Sequence, residues 1–126
     1  MTKRTAILLL LALLVSSAAC VGFARTFGRW RDARIAEQRT KAKIALDEER
    51  REWLRLIHEA DELLKKNKAL LPHWEEAAQS PYDEIRNDGR QRILKTQQEI
   101  REQEAVREKC ALLLQDVEKQ LSELNR

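Results

Sequence analysis

The sequence predicts an all-α chain: an N-terminal transmembrane helix, then two long coiled-coil-like helices joined by a short Pro-bounded connection. Three observations predict it. The 126 residues are 36% charged and 5% aromatic, with three glycines and two prolines, the profile of chains dominated by helix formers. An uncharged run extends from Thr5 to Ala24. Beyond it, apolar residues recur at alternating threes and fours on both sides of the two prolines, the spacing of one helix face.

The uncharged run divides the chain first. At about 1.5 Å per residue, a helix over Thr5–Ala24 spans roughly 30 Å, the thickness of a bilayer core. Ile7, Leu10, Leu14, Val15 and Phe23 are its expected lipid-facing side chains. Phe27 and Trp30 follow where an interfacial aromatic belt belongs, and Arg25, Arg29, Arg31 and Arg34 fall at headgroup depth. Residues 1–27 are accordingly read as a signal-anchor-like membrane segment, with membrane lipids as its first partner.

Two processed alternatives stay open. Lys3-Arg4, the apolar run from Ile7 and the small residues Ser17-Ala18-Ala19 have the order of a cleaved secretory signal. Cys20 after Ala18-Ala19 is a possible lipidation site, although Ser17 replaces the leucine usual in a lipobox and Val21–Ala24 prolongs the apolar run. A retained Cys20 is a small apolar side chain in the span.

Orientation has two opposed signals. The basic residues after the span favour a cytoplasmic C-terminus, whereas the signal-like start favours export. The expectation is a single-pass protein of the bacterial inner membrane with its C-terminal part periplasmic.

Residues 28–71 read as a juxtamembrane basic helix and first coiled-coil segment. Residues 25–55 hold ten Lys/Arg against six Asp/Glu, a basic block better matched to a membrane surface than to nucleic acid, because carboxylates interrupt it throughout. The apolar seam is Leu46, Trp53, Ile57, Ala60, Leu64 and Leu71, widened by Leu56, Leu63 and Leu70 and broken at Asn67. Pro72 is expected to end this helix, because the residue before a proline is pushed out of the α region.

Residues 72–81, with Trp74 as an apolar loop residue, form the expected connection. Ser80 is a candidate helix cap, Pro81 suits a first helical position, and Asn87-Asp88-Gly89 is an expected local interruption. Residues 82–126 are the second coiled-coil segment. Its seam is Ile93, Ile100, Cys110, Leu114, Val117, Leu121 and Leu124, with Val106 and Leu113 alongside and Thr96, Gln103 and Arg107 as polar breaks.

Folding back at residues 72–81 would set Leu121 against Asp32 and Leu114 against Arg39, so apolar blocks would miss each other. In-register self-association or a helical protein partner matches these seams better, with Trp53, Ile57, Leu64, Leu71, Ile100, Cys110, Leu114, Val117, Leu121 and Leu124 as contacts. Parallel pairing of exported chains would also let two Cys110 thiols oxidise.

No catalytic constellation is visible. His58-Glu59 with Glu62 can put two ligands on one helix face, but this is not an HExxH motif and no third ligand is placed, and no phosphate-binding glycine loop or nucleophile motif occurs. Neither a cofactor, a metal, a small-molecule substrate nor nucleic acid is expected. The function expected is that of a non-enzymatic, membrane-anchored coiled-coil stalk or partner-binding scaffold. An exported helical adaptor or lipoprotein is the alternative. In the layout of the whole chain, though in no specific motif, it resembles the inner-membrane spanins of phage lysis systems, which also place an exported helical region after an N-terminal span. That resemblance implies an outer-membrane partner.

Overall fold

A computed structural model describes residues 3–126, with side chains from Ile7 onward. The side chains of the basic pair Lys3-Arg4 lie outside the described residues. Two helices make up the fold, α1 (Lys3–Ala78) and α2 (Asp83–Leu124). The chain divides into two units, Met1–Ala42 and Lys43–Arg126. The first unit is helical, with its large apolar side chains exposed.

The second unit is an antiparallel hairpin of the last part of α1 and all of α2. Three interhelical ion pairs define its register: Arg50 with Glu118 at 3.5 Å, Lys68 with Glu104 at 3.3 Å, and Asp61 with Arg107. Each side chain is about half exposed, so such pairs contribute about 0–1 kcal/mol each. They report the register more than they stabilise it. Stabilisation comes from the seam between the helices, where Ala60, Leu64, Ile100, Cys110 and Val117 are buried. In this register Trp53 lies level with Val117, Ile57 with Leu114, Ala60 with Cys110, and Leu71 with Ile100. The polar breaks Asn67 and Gln103 also fall level, and both are half-buried. The apolar blocks therefore meet, and the expectation that a hairpin would misalign them is overturned.

The correction begins at Pro72. It lies inside α1, which continues to Ala78 instead of ending at Leu71. Proline removes one backbone hydrogen bond and crowds the carbonyl of residue 68. Lys68 and Pro72 are both exposed, so water can reach that carbonyl. The extra residues return burial, because Trp74, Ala77 and Ala78 are all withdrawn from solvent. Trp74 is thus a helical residue of the hairpin, not part of a loop.

The connection is short. Gln79 N–H donates to the Glu76 carbonyl and Ser80 N–H to the Ala77 carbonyl, each at 3.1 Å, closing α1 with i→i+3 bonds. Ser80 does not cap α2. Its Oγ accepts the Tyr82 N–H at 3.3 Å across Pro81, and Tyr82 occupies the cap position with extended backbone and no side-chain cap bond. Asp83 and Glu84 then supply negative charge to the first turn, where the helix dipole favours it.

Gly89 does not interrupt α2. It is buried within the helix, and a Cβ at its position would lie 2.6 Å from the Ala78 nitrogen, 2.8 Å from the Ala77 carbonyl carbon and 3.0 Å from the Ala77 Cβ. The helices approach closely here because one of them has no side chain.

Gly89→Ala should therefore destabilise the hairpin although alanine is the better helix former. Crowding backbone costs about 1–3 kcal/mol against about 1 kcal/mol gained in propensity. Thermal unfolding of the full-length chain in detergent, followed by circular dichroism, should show a lower midpoint. Gly28→Ala, with open space around its Cβ, should show no loss. Pro72→Ala, which restores an interior hydrogen bond, should raise hairpin stability by roughly 2 kcal/mol in a urea titration.

Candidate functional site

Two regions carry the features from which a function can be argued. In the first unit, helix α1 contains a segment near the N-terminus long and apolar enough to cross a membrane, a property that signal sequences share. Nothing in the structure buries it. Ile7, Leu10, Leu14 and Val15 are all more than half exposed, and Phe23 is 75% exposed. Ser16 and Ser17 donate their hydroxyls to the carbonyls of Leu13 and Leu14, and Thr26 donates to the Gly22 carbonyl. The polar groups of this stretch are thus satisfied within the helix, as a bilayer interior requires. Cys20 is exposed and unpaired by any disulfide.

The aromatic residues that follow share one helix face through their three- and four-residue spacing. Phe23 and Phe27 stack with ring centroids 6.4 Å apart, and Phe27 meets Trp30 at 6.0 Å. The Arg34 guanidinium lies 4.9 Å from the Trp30 ring centroid, within cation–π range. Of the expected interface residues, the structure joins Phe27, Trp30 and Arg34 in one stripe. Arg25 and Arg29 are exposed outside it, and Arg31 sits 3.9 Å from Asp32.

In the second unit, the expected contact residues occupy the hairpin seam. Ile100, Cys110 and Val117 are buried, as is Leu64, while Trp53, Ile57, Leu71, Leu114, Leu121 and Leu124 are half-buried. They contact the other arm of the same chain, so in the hairpin they are core. Cys110 is buried among them as a free thiol. Trp53 Nε1 donates to Glu49 at 3.2 Å, satisfying the indole. Trp74 is covered by Arg92, whose guanidinium carbon is 4.6 Å from the ring centroid. Arg92 in turn donates to Asp88 at 2.8 Å.

The two flanks of the seam differ in chemistry. All three interhelical ion pairs lie on one flank. The other is lined by Leu56, Leu63 and Leu70 of α1 and by Val106 and Leu113 of α2. Sequence reasoning found these five as extra width on the seams but could not assign them a side without the register. It missed Gly89 as a packing residue, for which the signal was a glycine within a helical stretch that lacks any other.

Elsewhere, Arg55 bridges Glu52 and Glu59 along α1. Its hydrogen bond holds the Glu52 carboxyl below the usual carboxylate range, and the Arg55 guanidinium is raised in return, chiefly by the same bond. His73 packs against Trp74 with ring centroids 4.8 Å apart. Among the described residues, no cluster of three or more His, Cys, Asp or Glu side chains is arranged to hold a metal ion.

Comparison with protein-family models, curated proteins and solved structures finds no match to this chain.

Burial of Cys110 has a direct chemical consequence. In the native protein, a polar maleimide should modify Cys110 far more slowly than it does in urea. Peptide-level mass spectrometry after timed labelling measures this, and equal rates in the two conditions would show that the hairpin seam is open.

Proposed function

We propose that this chain is a non-enzymatic, single-pass membrane protein of the bacterial cell envelope. Its helical hairpin serves as a structural stalk or partner-binding scaffold on the periplasmic side. The observation that carries this reading is the uncharged helical stretch from Thr5 to Ala24, whose large side chains find no protein to bury them. Exposing so many Leu, Ile and Val side chains to water is opposed by about 25 cal/mol per Å² of apolar surface, and lipid removes that cost. The stripe of Phe23, Phe27, Trp30 and Arg34 supports the same reading, since aromatic rings and arginines anchor helices at headgroup depth. The hairpin carries half-exposed ion pairs and, at its open end, a shallow groove lined by Lys43, Asp47, Arg50 and Glu118, a charged surface suited to contact with other molecules.

The small residues before Cys20 favour a second reading, an exported helical adaptor or lipoprotein whose signal is removed. The two readings diverge in one measurement. Native protein should remain with membranes through a carbonate wash and keep its N-terminal segment by intact mass. Loss of residues 1–19 with a lipid on Cys20 would establish the lipoprotein instead. A soluble, shortened chain would overturn the anchor reading.

A further inference from the structure

We infer that a second copy of this chain docks on the apolar flank of the hairpin formed by Leu56, Leu63, Leu70, Val106 and Leu113, making a two-fold dimer. This rests on the reading of the protein as one that works by contact, and it names the contact.

Seam residues are not available for that purpose. Ala60, Leu64, Ile100, Cys110 and Val117 are buried inside the hairpin. What remains is set by helical geometry. Leu56, Leu63 and Leu70 each precede a seam residue of α1 by one position, as Val106 and Leu113 do on α2, so each lies about 100° round the helix from the seam. In an antiparallel pair, positions displaced in that sense face the same side. The hairpin register sets Leu63 level with Val106 and Leu56 level with Leu113. Leu63, Leu70 and Val106 remain 44%, 37% and 48% exposed. Leu70 also lines a groove on this flank with Trp74, Arg92 and Glu99. A clustered apolar patch of this kind, opposite a flank fastened by ion pairs, marks an interaction surface.

The border of the patch selects a second copy as the occupant. Glu59, which Arg55 also holds along α1, and Lys66 edge it on α1, and Glu102 and Lys109 edge it on α2, all exposed. A two-fold axis in the interface plane brings opposite signs together in both of its settings. With the hairpins running the same way, Glu59 meets Lys109 and Lys66 meets Glu102 of the other copy. With the hairpins opposed, Glu59 meets Lys66 and Glu102 meets Lys109. A chemically arbitrary partner has no reason to match this alternation, whereas the chain matches itself.

The area sets the strength. Leu56 to Leu70 covers about 21 Å of helix, and two adjacent helices present a width of roughly 20 Å. The patch is therefore about 400 Å² per copy, below the roughly 800 Å² per partner of standard stable interfaces. The dimer is weak in free solution and populated where tethering to one surface raises the effective concentration.

The test uses the full-length chain in liposomes, half of it labelled with ¹⁵N, treated with a zero-length carbodiimide cross-linker. Expected are mixed-isotope cross-links joining Glu59, Lys66, Glu102 and Lys109 in one of the two patterns above. Leu63→Asn with Val106→Asn should reduce the cross-linked dimer at least tenfold while leaving helicity unchanged. Leu54→Asn, an exposed leucine outside the patch, should leave the dimer intact. A wild-type chain that yields no mixed-isotope dimer, or a double variant that dimerises as the wild type does, overturns the proposal. Membrane attachment is read separately by the carbonate wash. If the chain proves soluble, the same cross-linking on the soluble protein still decides the dimer.

Discussion

A close approach of the two helices, at Gly89, is the constraint on which the hairpin depends. The backbone of Ala77 and Ala78 occupies the space where a side chain at position 89 would be. Backbone cannot rotate away as a long side chain can, so this contact fixes where α2 starts its return along α1. Every later pairing inherits that starting point. Trp74 comes level with Thr96, Leu71 with Ile100, and Ala60 with Cys110, and the three ion pairs fall into place further along. Small residues continue this theme, since Ala60 and Cys110 lie level at the middle of the seam and both are buried.

The same contact explains why α1 tolerates Pro72. An interior proline costs about 3 kcal/mol in an otherwise regular helix. Had α1 ended at Leu71, Trp74, Ala77 and Ala78 would have had no place against α2, and Gly89 no backbone to receive. Burial of these residues, with Thr96 and Gly89 on the facing arm, offsets the lost hydrogen bond. Exposure of Lys68 and Pro72 keeps the loss small, since water can reach the unpaired carbonyl.

Much of this was legible in the sequence, and the largest departure begins at Pro72. The helical class, the apolar seams and the uncharged N-terminal run follow from composition and spacing, because a 3.6-residue period needs no knowledge of the partner face. Pro72 was read as a helix end from its local preference, and tertiary packing overrode that preference. Ending α1 seven residues early accounts for part of the displacement of the return arm and the Gly89 contact for the rest: Leu121 lines a groove with Lys43, Asp47 and Arg50, where the sequence expectation sets it against Asp32. From that displacement came the idea that the seams must seek another chain. The stripe of Phe27, Trp30 and Arg34 was legible because three- and four-residue spacing alone places them on one face. Which flank of the hairpin stays apolar was not legible, since it depends on a register that no local pattern encodes.

Once the seams are satisfied within the chain, the demand for a partner moves but does not vanish. A hairpin of two helices has two flanks and can cover neither by itself. One flank meets water mainly through the charged side chains of Arg50, Asp61, Lys68, Glu104, Arg107 and Glu118, with Leu54 as its exposed leucine. The other exposes leucine and valine, and the first unit exposes far more apolar surface than that. The two surfaces differ in the cover they call for. The N-terminal run carries no charge from Thr5 to Ala24, and its serine hydroxyls bond within the helix, which suits a fluid hydrocarbon that makes no directional demands. The hairpin flank is a narrow apolar strip edged by alternating charges, which suits a protein surface of matching pattern. Lipid would solvate the leucines of that strip and strand its charges, whereas a second helical pair answers both. On the proposed reading, the exposed apolar surface is divided between a lipid solvent and a second copy of the chain, and the edging charge is what separates the two.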